Sequence, residues 1–261
     1  MQHLFSPDGE AALTILMRRQ PLLAFDFDGT LAPIVEHPDH ARILPDLAGR
    51  LRALAARLPV AIVTGRARAD VQPRLGFEPR YVVGNHGAEH EGGGEHVDPE
   101  TALAAAAALR GLRQRLHEHA LELAGAGVMV EDKGASLALH YRTAPEPGLA
   151  LALILALLAP AHDALHVFAG KMVVNAVAAG APDKADAMRR LVAHSGVTAA
   201  FFAGDDLNDE PVFAAAPPDW LTVRVGPAEW LTQARYCLNS PEEMVRLLDR
   251  MLALHDTAPP R

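Results

Sequence analysis

The 261-residue chain carries one cysteine, Cys237. No intrachain disulfide and no cysteine-built zinc site can therefore form, and a lone thiol reads more simply as a small buried hydrophobe than as a nucleophile. Long apolar runs are also missing: none approaches the roughly 18 residues of a membrane span. The opening Met1-Gln2-His3-Leu4 lacks a basic segment leading into an apolar signal core. A soluble, cytoplasmic protein is expected, with no membrane partner. Positive charge is scarce, since 24 Lys and Arg stand against 32 Asp and Glu for a net charge of -8, and the arginines are scattered. That balance argues against a nucleic-acid partner. An anionic substrate must then be met by a local group of cations.

What is present suits a sizeable globular core, at 50% apolar residues and a length that allows one large domain or two smaller ones. The stretch Asp26-Phe27-Asp28-Gly29-Thr30 organises the rest. It sets two carboxylates two residues apart directly after the apolar run 22–25, which reads as a buried parallel strand. The carboxyl ends of such strands are where open α/β sheets bind ligands. A short helical pattern at Ala11, Leu13, Ile15 and Leu16 precedes it. After it, Pro45 opens a helix whose Leu47, Leu51, Leu54 and Leu58 recur at the spacing of one buried face. Strands follow at 60–63, ending in Thr64-Gly65-Arg66, and at 81–83, ending in Gly84-Asn85-His86-Gly87. Three strands, each leading into a polar or Gly-bearing loop, predict a Rossmann-like three-layer α/β core with a parallel sheet.

The pattern then changes. Glu91-Gly92-Gly93-Gly94-Glu95 reads as a hairpin or linker, and Asp98-Pro99-Glu100 as a helix start. That helix is expected to run to about Leu123. Strands are expected at 128–130, 136–142 and 167–177, with a helix near 149–158 between them. Alternation would set His140 and Arg142 on one face, opposite Leu137, Leu139 and Tyr141, and would set Lys171 beside Asn175. These elements predict a smaller α+β domain inserted at 89–178, the core being 1–88 and 179–261. The core pattern resumes with a helix ending near Ser195-Gly196 and a strand at 200–203 that runs into Gly204-Asp205-Asp206-Leu207-Asn208-Asp209. A strand at 221–225 and a capping box, Ser240-Pro241-Glu242-Glu243, opening a final helix complete it, and the tail 257–261 is expected to fray.

Asp26 and Asp28, Thr64, Lys184, and Asp205, Asp206 and Asp209 all fall at or near predicted strand ends. Taken singly, each has a plainer explanation. Thr64 could end a strand, Lys184 could be a solvated helix lysine, and Gly204-Asp205-Asp206 could be a turn or a calcium-like cluster. Together they describe a phosphoryl-transfer site. Converging carboxylates repel one another, and a hard cation such as Mg²⁺, shared with a substrate phosphate, is the usual relief. Thr64 and Lys184 can then donate to the phosphoryl oxygens.

In this order the motifs resemble those of the haloacid-dehalogenase-like phosphatases. The resemblance implies that Asp26 is a nucleophile forming an aspartyl-phosphate. Asp28 would be the proton-transfer group, and Mg²⁺ would be held by Asp26, Asp205 and the Asp28 main-chain carbonyl, with Asp206 and Asp209 as supporting acids. The insertion lies where type-two caps of that superfamily occur. Gly84-Asn85-His86-Gly87-Ala88-Glu89, Val130-Glu131-Asp132-Lys133-Gly134, His140-Tyr141-Arg142 and Gly170-Lys171-Met172-Val173-Val174 further resemble the trehalose-6-phosphate phosphatases, from about residue 22 to 252. A phosphorylated disaccharide is the implied substrate, with contacts from Gly65, Arg66, Asn85, His86, Glu89, Lys133, His140, Arg142, Lys171 and Asn175. The chain departs from that family at Asn175, where a Glu is usual, and at Ala185, where a Gly is usual. Another phosphosugar, such as sucrose 6-phosphate or mannosyl-3-phosphoglycerate, and a non-catalytic phosphosugar-binding module remain as alternatives. No fused synthase domain is read in the chain, so coupling to synthesis would involve a separate trehalose-6-phosphate synthase.

Overall fold

The computed structural model describes residues 1–35, 38–89, 99–161, 163–227 and 231–257. The Gly-rich segment 91–95, the cap expected at Asp98 and the tail from 258 lie outside the described residues. Two compact units are present: Met1–Glu91 with Pro182–Arg261, and the contiguous Gly92–Ala181 that interrupts them in sequence.

In chain order the elements are β1 (Gln2–His3), α1 (Pro7–Arg18), β2 (Leu22–Phe25), α2 (Pro45–Ala55), β3 (Val60–Val63), α3 (Arg68–Val71) and β4 (Tyr81–Val83). The inserted unit holds α4 (Pro99–Glu118), α5 (Ala120–Gly125), β5 (Met129–Asp132), β6 (Ser136–His140), α6 (Pro147–Leu158), β7 (Leu165–Gly170) and β8 (Val173–Ala178). The first unit resumes with α7 (Lys184–Ser195), β9 (Ala200–Gly204), α8 (Glu210–Ala215), β10 (Trp220–Val225), β11 (Tyr236–Leu238) and α9 (Glu243–Asp256).

The first unit is an α/β layer structure around a seven-stranded sheet in the order β1-β11-β10-β9-β2-β3-β4, all parallel. Alternate residues of β2 serve opposite faces. Leu23 and Phe25 join Leu13, Leu51, Leu247 and Met251 of α1, α2 and α9, while Leu22 and Ala24 join Met188 and Leu191 of α7 and Phe213 of α8. A sheet buried on both faces requires near-continuous apolar strands, which is what β2, β3 and β9 are. Each fully buried Leu or Phe contributes about 1.5–3 kcal/mol.

The helical pattern expected at 11–16 is α1, whose buried stripe is Leu13, Leu16 and Met17, with Ile15 exposed. Two local expectations fail. The capping box at Ser240 does not form. The Glu243 carboxylate instead accepts from the Asn239 N–H at 2.6 Å and pairs with His3 at 3.0 Å, and α9 starts without a side-chain cap. The helix expected to reach Leu123 is broken at His119, whose φ of -103° and ψ of 17° separate α4 from α5.

The inserted unit is a four-stranded antiparallel sheet, β5-β6-β8-β7, with one face packed on its helices through Leu137, Leu139, Val174 and Ala176. The single stretch expected at 167–177 is a hairpin. Lys171 and Met172 form its two-residue turn, with Met172 at φ 62°. Lys171 therefore has no strand-face relation to Asn175. Arg142 likewise lies beyond the end of β6, so alternation does not set it beside His140.

Candidate active site

The sheet order reverses at β2: the chain moves outward to β3 and β4 on one side and returns through β9 to β11 on the other. The crevice between β2 and β9 is the topological switch point, where doubly wound sheets place their ligands. Register fixes its contents. Phe25 is level with Ile62 and with Ala203, and the Asp26 N–H donates to the Ala203 carbonyl at 2.9 Å. Asp26, Thr64 and Asp205 thus emerge from adjacent strand ends. Lys184 opens α7, whose start is fixed by reciprocal hydrogen bonds between Asp183 and Asp186. Ala185 continues that helix and is buried in the core.

Lys184 Nζ donates to Asp26 Oδ1 at 2.9 Å and to Asp209 Oδ1 at 2.7 Å, with all three side chains at most 5% exposed. Burial opposes the ammonium charge, but Asp209 and Asp26 outweigh it and hold the Lys184 pKa above its ordinary value. Burial pushes Asp26 well above the usual carboxylate range; Lys184 offsets part of this, and Asp209 and Asp205 add to it. Carboxylate oxygens of Asp26, Asp205 and Asp209 lie within 4.8 Å of one another. Asp209 also accepts from the Asp206 N–H at 3.0 Å, while the Asp206 carboxylate caps the turn by accepting from Leu207 N–H.

Two glycines make this convergence possible. A Cβ on Gly29, at φ +80°, would lie 2.1 Å from Asp205 Oδ2, and one on Gly204 would lie 2.3 Å from Asp209 Cγ. Thr30, not singled out in the sequence reading, is buried with its hydroxyl 3.4 Å from Asp205 Oδ1.

The Thr64-Gly65-Arg66 loop carries the second half of the site. Thr64 is buried and its Oγ1 accepts from the Arg66 N–H. Arg66 grips Asp28 with both arms of its guanidinium, Nε to Oδ2 at 2.7 Å and Nη2 to Oδ1 at 2.8 Å. The loop is braced from behind. Asn85 and His86 N–H groups donate to the Arg66 and Thr64 carbonyls, and the His86 ring lies against Gly65, where a Cβ would come within 2.3 Å. Glu89 accepts from Asn85 Nδ2 and from the Arg68 N–H. Asn85, His86 and Glu89, read from sequence as substrate contacts, thus support the loop that carries Thr64 and Arg66.

In the inserted unit, Glu131, Ala138, Asn175 and Phe168 occupy one row across the sheet. Glu131 pairs with His140 at 2.8 Å and stands 3.7 Å from Lys133. Glu131 is not among the site residues expected from the sequence, although it lies within the motif Val130-Glu131-Asp132-Lys133-Gly134. Asn175 is buried. Arg142 donates to the Lys171 carbonyl at 3.1 Å.

A family model for trehalose-phosphatase matches residues 24–241, which spans every strand-end residue named above. The chain belongs to the trehalose-phosphatase family. Curated trehalose-phosphate phosphatases of Mycobacterium avium (strain 104) and Mycobacterium tuberculosis (strain ATCC 25618 / H37Rv) are each 33% identical to it over 268 positions, covering 94% and 98% of this chain. It spans 66% and 68% of their lengths. The C-terminal domain of C. albicans trehalose-6-phosphate phosphatase shares the fold, with a TM-score of 0.79 at 23% identity over 94% of this chain and 96% of that one. A Synechocystis sucrose-phosphatase, solved with sucrose and phosphate, follows at a TM-score of 0.56 and 18% identity, over 88% and 98%. This trehalose-phosphatase family member therefore shares its α/β fold with those two solved phosphatases. Among its described residues, no helix is long and apolar enough to cross a membrane.

Proposed function

We propose that this protein is a Mg²⁺-dependent phosphatase that hydrolyses trehalose 6-phosphate to trehalose and phosphate through an aspartyl-phosphate. The buried Lys184–Asp26 pair within the carboxylate cluster is the observation that carries the reading. A nucleophilic carboxylate must face an incoming phosphoryl dianion, and a fixed ammonium beside it offsets that repulsion. Asp26, Asp205 and, by the resemblance, the Asp28 carbonyl would offer oxygen donors of the kind a hard dication takes, and the crowding of the buried Asp26, Asp205 and Asp209 carboxylates fits one. Mg²⁺ bound there would neutralise the developing charge on the phosphoryl oxygens.

In this reading Asp26 Oδ attacks phosphorus and the P–O bond to the sugar breaks. Asp28 gives its proton to the departing sugar oxygen, then takes one from the water that opens the aspartyl-phosphate. Thr64 and Lys184 hold the phosphoryl oxygens. Lys133, His140, Arg142, Lys171 and Asn175 supply sugar contacts, Asn175 offering an amide where a carboxylate is usual. The reaction is assigned to the cytoplasm.

Phosphate release from a panel of phosphosugars tests the reading. Trehalose 6-phosphate should be the best substrate, and Asp26→Asn should retain no more than a few per cent of wild-type release. Strong release from sucrose 6-phosphate or mannosyl-3-phosphoglycerate alone would change the substrate and keep the chemistry.

A further inference from the structure

Arg66 is held on three sides. Its guanidinium lies over the Phe27 ring, 5.3 Å from the centroid, grips both oxygens of Asp28, and donates through Nη1 to Asp70 Oδ2 at 2.8 Å. Asp70 stands in α3, Arg66 just before the extended residue that opens that helix, and Arg74 in the 3-10 turn that follows it, and the three side chains meet in a line. Arg74 Nε donates to Asp70 Oδ1 at 3.1 Å and to the Asp70 carbonyl at 2.9 Å, and its Nη2 pairs with the same carboxylate. Nη2 also reaches Asp39 Oδ1 at 3.2 Å. Charges of alternating sign thus run from Asp28 through Arg66, Asp70 and Arg74 to Asp39. Burial works against the Asp70 charge, but the hydrogen bonds from Arg74 and Arg66 prevail and keep its pKa below the ordinary value.

An arginine paired on one edge alone keeps several rotamers, whereas one gripped on both edges and stacked on a ring keeps few. We propose that Asp70, braced by Arg74, is a positioning residue for the phosphatase reaction: it fixes Arg66, and Arg66 fixes the orientation of the Asp28 carboxylate. The proposal rests on the reading of Asp28 as the proton-transfer group. Asp70 acts only through Arg66, so its loss should fall on turnover rather than on substrate affinity.

The test compares Asp70→Asn, Arg74→Gln, Arg66→Ala and the Asp70→Asn/Arg66→Ala double variant with wild type on the best phosphosugar and on p-nitrophenyl phosphate, per mole of folded protein. Asp70→Asn should lower kcat on the sugar ester on the order of 10-fold with KM within about twofold. The loss should be smaller on p-nitrophenyl phosphate, whose leaving group departs as a stable anion. Arg74→Gln should give a weaker loss of the same kind, and carries the test if Asp70→Asn does not fold. Adding Asp70→Asn to Arg66→Ala should change kcat by less than about twofold, because a residue acting through Arg66 has nothing left to act on. Unchanged kcat in Asp70→Asn, equal losses on the two esters, or losses that multiply in the double variant would overturn the proposal. Wild type inactive on every phosphate ester would instead sink the phosphatase reading itself.

Discussion

Lys184 and Asp26 form an ion pair 2.9 Å long whose side chains are 1% and 5% exposed, and Asp209 shares the same ammonium at 2.7 Å. Lys184 thus pairs with two of the three carboxylates, of Asp26, Asp205 and Asp209, that lie within 4.8 Å of one another. The excess of negative charge is costly in a low-dielectric site and leaves the cluster ready to take up a dication.

Lys184→Ala should remove the partner of two buried carboxylates at once. Breaking a buried pair on one side costs about 3–5 kcal/mol, so a clear drop in thermal midpoint is expected, together with a loss of turnover on the order of 10²-fold or more. Thermal melts and phosphate release on the same preparation check both. Wild-type turnover at every substrate concentration would remove Lys184 from the chemistry.

Metal and pH should act together. The metal-free fold holds a proton on Asp26 to higher pH than the unfolded chain does. As pH rises from the ordinary carboxylate range through the raised folded value, the folded state binds more protons than the unfolded one, and metal-free stability falls. A cation prefers the ionised cluster, so Mg²⁺ should raise the melting temperature more near pH 8 than near pH 5. EDTA should silence turnover and Mg²⁺ restore it. A thermal shift independent of pH, or full activity after exhaustive chelation, would contradict this account.

Gly29→Ala tests the packing of the cluster. The new methyl would overlap the Asp205 carboxylate, and the left-handed backbone at φ +80° adds about 1–2 kcal/mol for a residue with a Cβ. Activity should be nearly abolished and the Mg²⁺ concentration needed for half-activation should rise, while the far-UV spectrum stays native. Retained activity at ordinary Mg²⁺ would mean that Asp205 need not sit where it does.

Substrate choice is tested in the inserted unit. His140→Ala should cut kcat/KM for trehalose 6-phosphate by about 10 to 100-fold, the effect of losing roughly 1–3 kcal/mol of polar contact, with much less change on p-nitrophenyl phosphate. Asn175→Glu restores the residue usual in the family, on the row that already holds Glu131. Improved turnover of trehalose 6-phosphate is expected. A loss, alongside strong wild-type activity on another phosphosugar, would show that the reaction is right and the sugar wrong.

Some of this was legible in the chain itself. Buried parallel strands must be apolar on both faces, so the runs ending at Phe25, Val63, Val83 and Ala203 announced the sheet, and the acids and Thr64 that follow them announced its functional edge. Helical spacing showed the inward face of α2 for the same reason. Local signals failed where a distant partner took the local group. Glu243 turned to His3 and Asn239 rather than completing a cap. The two-residue and three-residue strands β1 and β11 carry too few side chains to show a period, and they pair only because the ends of the chain meet. A turn at Lys171 and Met172 reset the alternation that would have joined Lys171 to Asn175. The sequence by itself determined which residue types stand at the ends of which strands, because burial constrains composition at every position of a covered sheet. Only the tertiary structure decided their partners: that Asp209 shares Lys184 with Asp26, that Arg66 grips Asp28, and that Asn85 and His86 brace the loop behind it. Those pairings join residues up to 158 apart, and a hydrogen bond across such a separation depends on the fold's register rather than on any local pattern.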